Sequence, residues 1–127
     1  MSYIKVYFDQ KSAYQVGSPQ IMELVKTACF DLKLHFKSIL RKDSLDFTDK
    51  DRHLIRTIVD RDSLQRIVIT HGTDTMIETE KALRGFMEKT IVLTGAMQPA
   101  YFKESDAPYN IAAALMAVQL LPPGVYL

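Results

Sequence analysis

A single cysteine, Cys29, in 127 residues rules out an intrachain disulfide and a zinc cage built from cysteines. It falls among Ile21, Leu24, Val25 and Ala28 at helical spacing, the pattern of a buried, inert thiol rather than a nucleophile. Neither sign of charge dominates: 16 Lys and Arg against 15 Asp and Glu leave a net charge of +1. That balance gives no electrostatic footprint for nucleic acid, and the densest basic patches, Arg41-Lys42 and Arg52 with Arg56, read as solvated faces. No apolar run approaches the ~18 residues of a membrane span, so no membrane partner is expected. Met1-Ser2-Tyr3-Ile4-Lys5 lacks the basic stretch and apolar run of a signal peptide, and a reducing cytoplasm is the expected location. Internal repeats, low-complexity tracts and Gly/Ser linkers are missing too. Gly72 and Gly95 belong to no phosphate-binding fingerprint, neither G-x-G-x-x-G nor a glycine-rich loop ending in Lys-Ser/Thr.

What is present is the composition of one globular domain over residues 1–127, 47% hydrophobic and 24% charged. Short β-branched runs alternate with longer amphipathic segments. Ser18-Pro19 marks a helix start before Ile21, Leu24, Val25, Ala28 and Phe30. Leu34–Leu40 alternates as a strand at or near a sheet edge would. Thr48 and Asp51 form a capping box ahead of Leu54, Ile55, Ile58 and Val59. Ile67-Val68-Ile69-Thr70 and Thr90-Ile91-Val92-Leu93-Thr94 read as strands buried on both faces. The spacing predicts a helix over Asp74–Met87, broken near Gly85, and another over Asp106–Leu121, stopped by Pro122-Pro123-Gly124. Val125-Tyr126-Leu127 begins a further strand. Strand–helix alternation of this kind predicts a three-layer α/β fold, a mostly parallel sheet with helices on both faces.

In such a sheet, ligands bind at the carboxyl ends of the strands. The two buried strands end there in Thr70-His71-Gly72-Thr73-Asp74-Thr75 and Thr94-Gly95-Ala96-Met97-Gln98-Pro99. Glycines let backbone approach a ligand, and a helix opening at Asp74 would aim its free N–H groups at the same space. Hydroxyls, a carboxylate and N–H donors are what nucleophilic acyl transfer needs. Two roles stay open for Thr73 and Asp74, capping the helix and doing chemistry, and they are compatible. His71 could act as a base, but directly after a buried strand it reads better as a residue that fixes the turn by hydrogen bonds. His35 and His53 assemble no metal triad with it.

These residues also carry a resemblance. His71-Gly72-Thr73-Asp74-Thr75-Met76, followed by Glu78-Thr79, resembles the second signature motif of bacterial-type L-asparaginases and glutaminase-asparaginases. Val92–Pro99 resembles that family's next segment, where arginine often stands at the place of Gln98, and Ser105-Asp106-Ala107-Pro108-Tyr109-Asn110 is similar to its Ser-Asp-Gly-Pro-x-Asn continuation. Upstream, Lys11–Gly17 is similar to the mobile loop over the substrate, and Asp43–Phe47 to the turn that holds the substrate's α-carboxylate.

The resemblance implies an amidohydrolase that splits the side-chain amide of asparagine or glutamine through a threonine nucleophile, with no metal or organic cofactor. Thr73 would be the second of two catalytic threonines. Asp74 would grip the α-amino group, Ser44 the α-carboxylate, and Tyr14 would assist the first threonine. Ala96 would offer backbone contacts near the scissile amide, beside Gly72. A homo-oligomer is implied as well.

Departures accompany it. Leu45 stands where the family often has glutamine. The family's opening central strand, ending in Thr-Gly-Gly-Thr-Ile with the primary nucleophile, has no counterpart, so the central place in the sheet is expected to be vacant. The catalytic lysine and the carboxy-terminal domain are also expected to be missing. Lys89 precedes its strand, at the wrong end to replace that lysine. The sequence therefore predicts an asparaginase-like amino-terminal lobe of doubtful activity by itself. The alternative is a non-catalytic module that binds a small amino acid or acts through oligomerisation.

Overall fold

The structure, a computed structural model, describes residues 3–8, 33–39, 46–95 and 107–127. Five strands are formed there: β1 (Tyr3–Phe8), β2 (Lys33–Ser38), β3 (Arg66–Thr70), β4 (Thr90–Thr94) and β5 (Gly124–Tyr126). They lie in the order β2-β1-β3-β4-β5, and every pairing is parallel. The expected α/β architecture is therefore present, with β2 at the edge foreseen for it. The helix expected after Ser18-Pro19, together with Cys29, lies outside the described residues.

The centre of the sheet differs from expectation. Tyr3–Phe8 fills the place thought vacant, with Lys5 paired to Ile67 on one side and to His35 on the other. Its alternation explains why it fits. Ile4 and Val6 face one side and are buried, while Lys5 and Tyr7 face the other. Phe8 then leads into Asp9-Gln10-Lys11 rather than into a threonine-glycine turn.

Among the described residues three helices pack on this sheet: α1 (Asp49–Arg61), α2 (Met76–Ala82) and α3 (Ala107–Leu120). The predicted capping box of α1 is made in both directions, with Thr48 Oγ1 accepting from the Asp51 N–H at 3.2 Å and Asp51 Oδ2 accepting from the Thr48 N–H at 2.9 Å. Helix α2 is shorter than Asp74–Met87. Leu83 is drawn fully into the core, and Gly85 follows at φ +107°, a conformation that ends a helix and suits glycine.

The two faces of the sheet hold separate cores. Ile4, Val6, Val68 and Val92 pack against Ile111, Ala114, Leu115 and Val118 of α3. Tyr7, Ile67, Ile69, Ile91 and Leu93 pack with Ile55 and Val59 of α1 and with Leu83 just beyond α2. Each fully buried Ile, Leu or Val adds roughly 1.5–3 kcal/mol of hydrophobic stabilisation. Helices α1 and α2 thus share one face while α3 takes the other. Since β2→β3, β3→β4 and β4→β5 all advance toward the same edge, the α3 crossover has the opposite hand to the two before it. Parallel sheets almost never mix hands in this way.

Candidate functional site

Strands β3 and β4 run side by side, ending at the Thr70–Thr94 pair. The ladder continues one step into the turns, where the His71 N–H donates to the Thr94 carbonyl at 2.8 Å. Gly95 permits this approach. A Cβ on it would sit 2.4 Å from the His71 carbonyl oxygen, far inside contact distance, and 3.4 Å from Thr73 Cγ2. From α3, Asn110 Nδ2 donates to the Gly95 carbonyl at 2.8 Å. The two turns are therefore fixed to each other, with Thr73 beside the end of β4.

His71 anchors the first turn from below. It is 1% exposed, and the ring of Phe47 meets it edge-on at 5.2 Å. Its Nδ1 lies 2.6 Å from the Gly72 carbonyl, which can only accept, so Nδ1 carries the hydrogen. In the neutral ring Nε2 then accepts from the Thr79 hydroxyl, 2.8 Å away on α2. Both ring nitrogens are committed, which matches the turn-fixing role read from sequence. A trans peptide points its C=O and N–H in opposite directions. With the Gly72 carbonyl drawn to His71, the Thr73 N–H is directed away from that ring.

Thr73 and Asp74 follow on the exposed crest of the turn, above a buried Gly72. A hydroxyl, a carboxylate and a backbone N–H are thus presented together at the carboxyl end of the central strands. One expectation is corrected: α2 opens at Met76 with Thr75 in the cap position and no side-chain cap bond, so neither Thr73 nor Asp74 is its cap. Their backbone is used in turning the chain from strand to helix. Tyr14, Ser44 and Ala96 lie outside the described residues. Thr79 and Asn110, which hold the turns, were visible in sequence only as letters of the matching motifs. Nothing in their spacing tied them to His71 or Gly95.

The opposite end of the sheet has its own polar cluster. Asp62, with a side chain only 6% exposed, accepts hydrogen bonds from the Tyr7 hydroxyl and from the Leu64 N–H, the latter at 2.9 Å, and lies 3.8 Å from Lys5 Nζ. Burial by itself would raise the Asp62 pKa. The bonds from Tyr7 and Leu64 and the charges of Lys5 and Lys89 outweigh it and hold the carboxyl below its ordinary value. Burial, and then the bond and charge of Asp62, push the Tyr7 phenol above its own. Lys89 donates to the carbonyls of Asp62 and Leu64 at 2.6 and 3.0 Å, placing it at the end away from Thr73, as its position before β4 implied. Among the described residues no three His, Cys, Asp or Glu side chains are grouped to hold a metal, and no helix is long and apolar enough to cross a membrane.

A hydroxyl and a carboxylate exposed on a turn at the carboxyl end of a parallel α/β sheet stand where open sheets of this class place their ligand crevices. Residues 4–127 match the profile of the asparaginase amino-terminal domain, and the chain belongs to the asparaginase family. It is 39% identical over 100 residues to an L-asparaginase of Thermococcus kodakarensis, covering 74% of this chain and 30% of that protein. To a glutaminase-asparaginase of Acinetobacter glutaminasificans it is 34% identical over 100 residues, covering 76% and 29%. The chain thus spans about a third of the length of these relatives. The crystal structure of a probable cytoplasmic L-asparaginase from Campylobacter jejuni shares the fold, with a TM-score of 0.80 at 24% identity over 98% of this chain and 43% of that one.

Proposed function

We propose that this chain supplies the amino-terminal, substrate-holding part of an amidohydrolase that converts the side-chain amide of asparagine or glutamine to the acid and ammonia. The observation that carries the reading is the placement of Thr73 and Asp74, exposed together on a turn whose base is held by His71 and Thr79 and whose flank is held by Gly95 and Asn110. In this proposal Asp74 holds the α-amino group, and Thr73 is the second catalytic threonine. Ser44 takes the α-carboxylate, Tyr14 serves the first threonine, and the Ala96 and Gly72 backbones line the amide. A threonine attacks the amide carbon, ammonia leaves with a proton, and water hydrolyses the resulting ester. No metal or organic cofactor enters the scheme. The proposed setting is a cytoplasmic homo-oligomer.

A second reading has a specific observation behind it. The sequence contains no Thr-Gly-Gly-Thr, and the strand in the central place runs into Asp9-Gln10-Lys11. A module that binds a small amino acid without turning it over fits that fact. Threonine is a weak nucleophile without its partners, and members of a catalytic unit fail together. Turnover by this chain is therefore expected to be at least ~10³-fold below that of a complete enzyme of the family, the usual size of such losses.

Ammonia release from each amide, together with calorimetry using aspartate, separates the readings. Saturable aspartate binding that Asp74→Asn abolishes, while circular dichroism shows an intact fold, supports the assigned grip. Activity recovered when a Thr-Gly-Gly-Thr-Ile turn is supplied directly after Phe8, and lost again with Thr73→Ala, supports the enzyme. Binding without recovery supports the module. Equal aspartate binding by the Asp74→Asn variant overturns both.

A further inference from the structure

Helices α1 and α2 leave a cleft of about 440 Å³ between them, lined by Asp49, Arg52, His53, Arg56, Glu78 and Lys81, with Ala82 at its edge. Three cations meet two carboxylates there, leaving one positive charge in excess with histidine neutral. The cations differ in how far they are satisfied. Arg56 is committed: its guanidinium donates to the carbonyls of Ala82 and Arg84 at 3.0 and 2.7 Å and lies over the Phe86 ring at 4.4 Å. Arg52 is not. Its side chain is 11% exposed, and among the described residues its only ion pair is a 3.4 Å contact from Nη1 to Asp49, whose own side chain stands fully in water, while its buried Nε has no hydrogen-bond partner. An oxyanion arriving in the cleft could take the guanidinium in place of that fully exposed aspartate, in a charge-assisted hydrogen bond.

We infer that this cleft is a binding site for a small oxyanion, a phosphate or a carboxylate, taken by Arg52 and Lys81 across the gap between α1 and α2. Guanidinium on one wall and ammonium on the other suit a group with several acceptor oxygens. Asp49 and Glu78 set the limit on charge: they disfavour a large polyanion and leave room for a small one. The site lies on the outer flank of the two helices and involves neither Thr73 nor Asp74, so it stands whether or not the amide chemistry is right.

The test titrates inorganic phosphate and, separately, succinate into the chain at constant ionic strength held with chloride, following amide shifts of α1 and α2 and the Tm. Saturation by either anion with a Kd near ~1 mM or tighter is the expected result, and the tighter of the two names the source of the oxygens. Arg52→Gln and, separately, Lys81→Gln should each weaken binding roughly tenfold or more, as loss of a charge-assisted hydrogen bond does. Lys81 is exposed, so that variant keeps the test available if Arg52→Gln does not fold. Failure of both anions to saturate, or the same affinity in both variants, overturns the site.

Discussion

The turn at the end of β3 depends on residues that never reach its crest. His71 is buried with both ring nitrogens engaged, so removing the Thr79 hydroxyl strands Nε2 in the core. Thr79→Val, which keeps the shape of the side chain, should cost about 1–3 kcal/mol, while Thr79→Ser should restore most of it. Urea denaturation of the three proteins decides this, and equal midpoints for threonine and valine would remove the bond from the account. Gly95 is the more demanding position. Its missing Cβ is where the His71 carbonyl sits, so Gly95→Ala must push the two turns apart, at a cost of roughly 1–3 kcal/mol. The same variant should weaken aspartate binding, because Thr73 rides on the displaced turn. A variant as stable as the parent would show that the turns are not in contact.

Among the elements, α1 and β1 are joined at the far end of the sheet by Tyr7 and Asp62, 55 residues apart. Their pKa shifts give stability two limbs in pH. Asp62 is held below its unfolded value, so its contribution is complete above about pH 4 and is lost as pH falls through the native value. Tyr7 is held above its unfolded value, so its contribution is complete below about pH 10 and is lost as pH rises toward the native value. Tyr7→Phe should remove the alkaline limb and cost about 1.5–3 kcal/mol at neutral pH, the range for hydrogen bonds to a charged group. Asp62→Asn should flatten the acid limb. Urea midpoints measured across the pH range test both, and an unchanged alkaline limb in Tyr7→Phe counts against the pair. Sequence could not have shown this bond, because nothing local links a strand tyrosine to an aspartate beyond a later helix. By contrast, β3 and β4 were legible as unbroken β-branched runs, and α1 announced itself through Thr48 and Asp51. Helix α2 was overread because apolar residues continue to Met87, whereas burial of Leu83 and the backbone of Gly85 stop it earlier. Strand β1 escaped notice for another reason. Its alternation is plain in Ile4-Lys5-Val6-Tyr7, but a place in the middle of a sheet is decided by partners far along the chain. The motif turn gave Gly72, Thr73 and Asp74 directly, without the neighbours that hold them.

At the scale of the whole molecule, α3 is the element that looks outward for company. It contains no charged residue from Ala107 to Leu120, and Tyr109, Met116 and Leu120 on its outer side are 78%, 58% and 78% exposed. A stripe without charge can pack against its own copy with no ion left unpaired, which is the requirement of a two-fold contact. The chain should therefore be at least a dimer at tens of micromolar, and Met116→Lys should shift it toward monomer. Light scattering of the two proteins checks this, with a monomeric parent the result that excludes it. The opposite hand of the last crossover has a consequence for where a ligand can enter. After β3 the chain departs toward the α1 face, and after β4 it departs toward the α3 face. Two neighbouring strands whose exits part in this way leave the space above their ends uncovered by any of the described helices, the position of the crevice in which doubly wound sheets bind ligands. Thr73 and Gly95 touch at its floor, so the rare topology leaves the threonine-aspartate turn uncovered among the described residues.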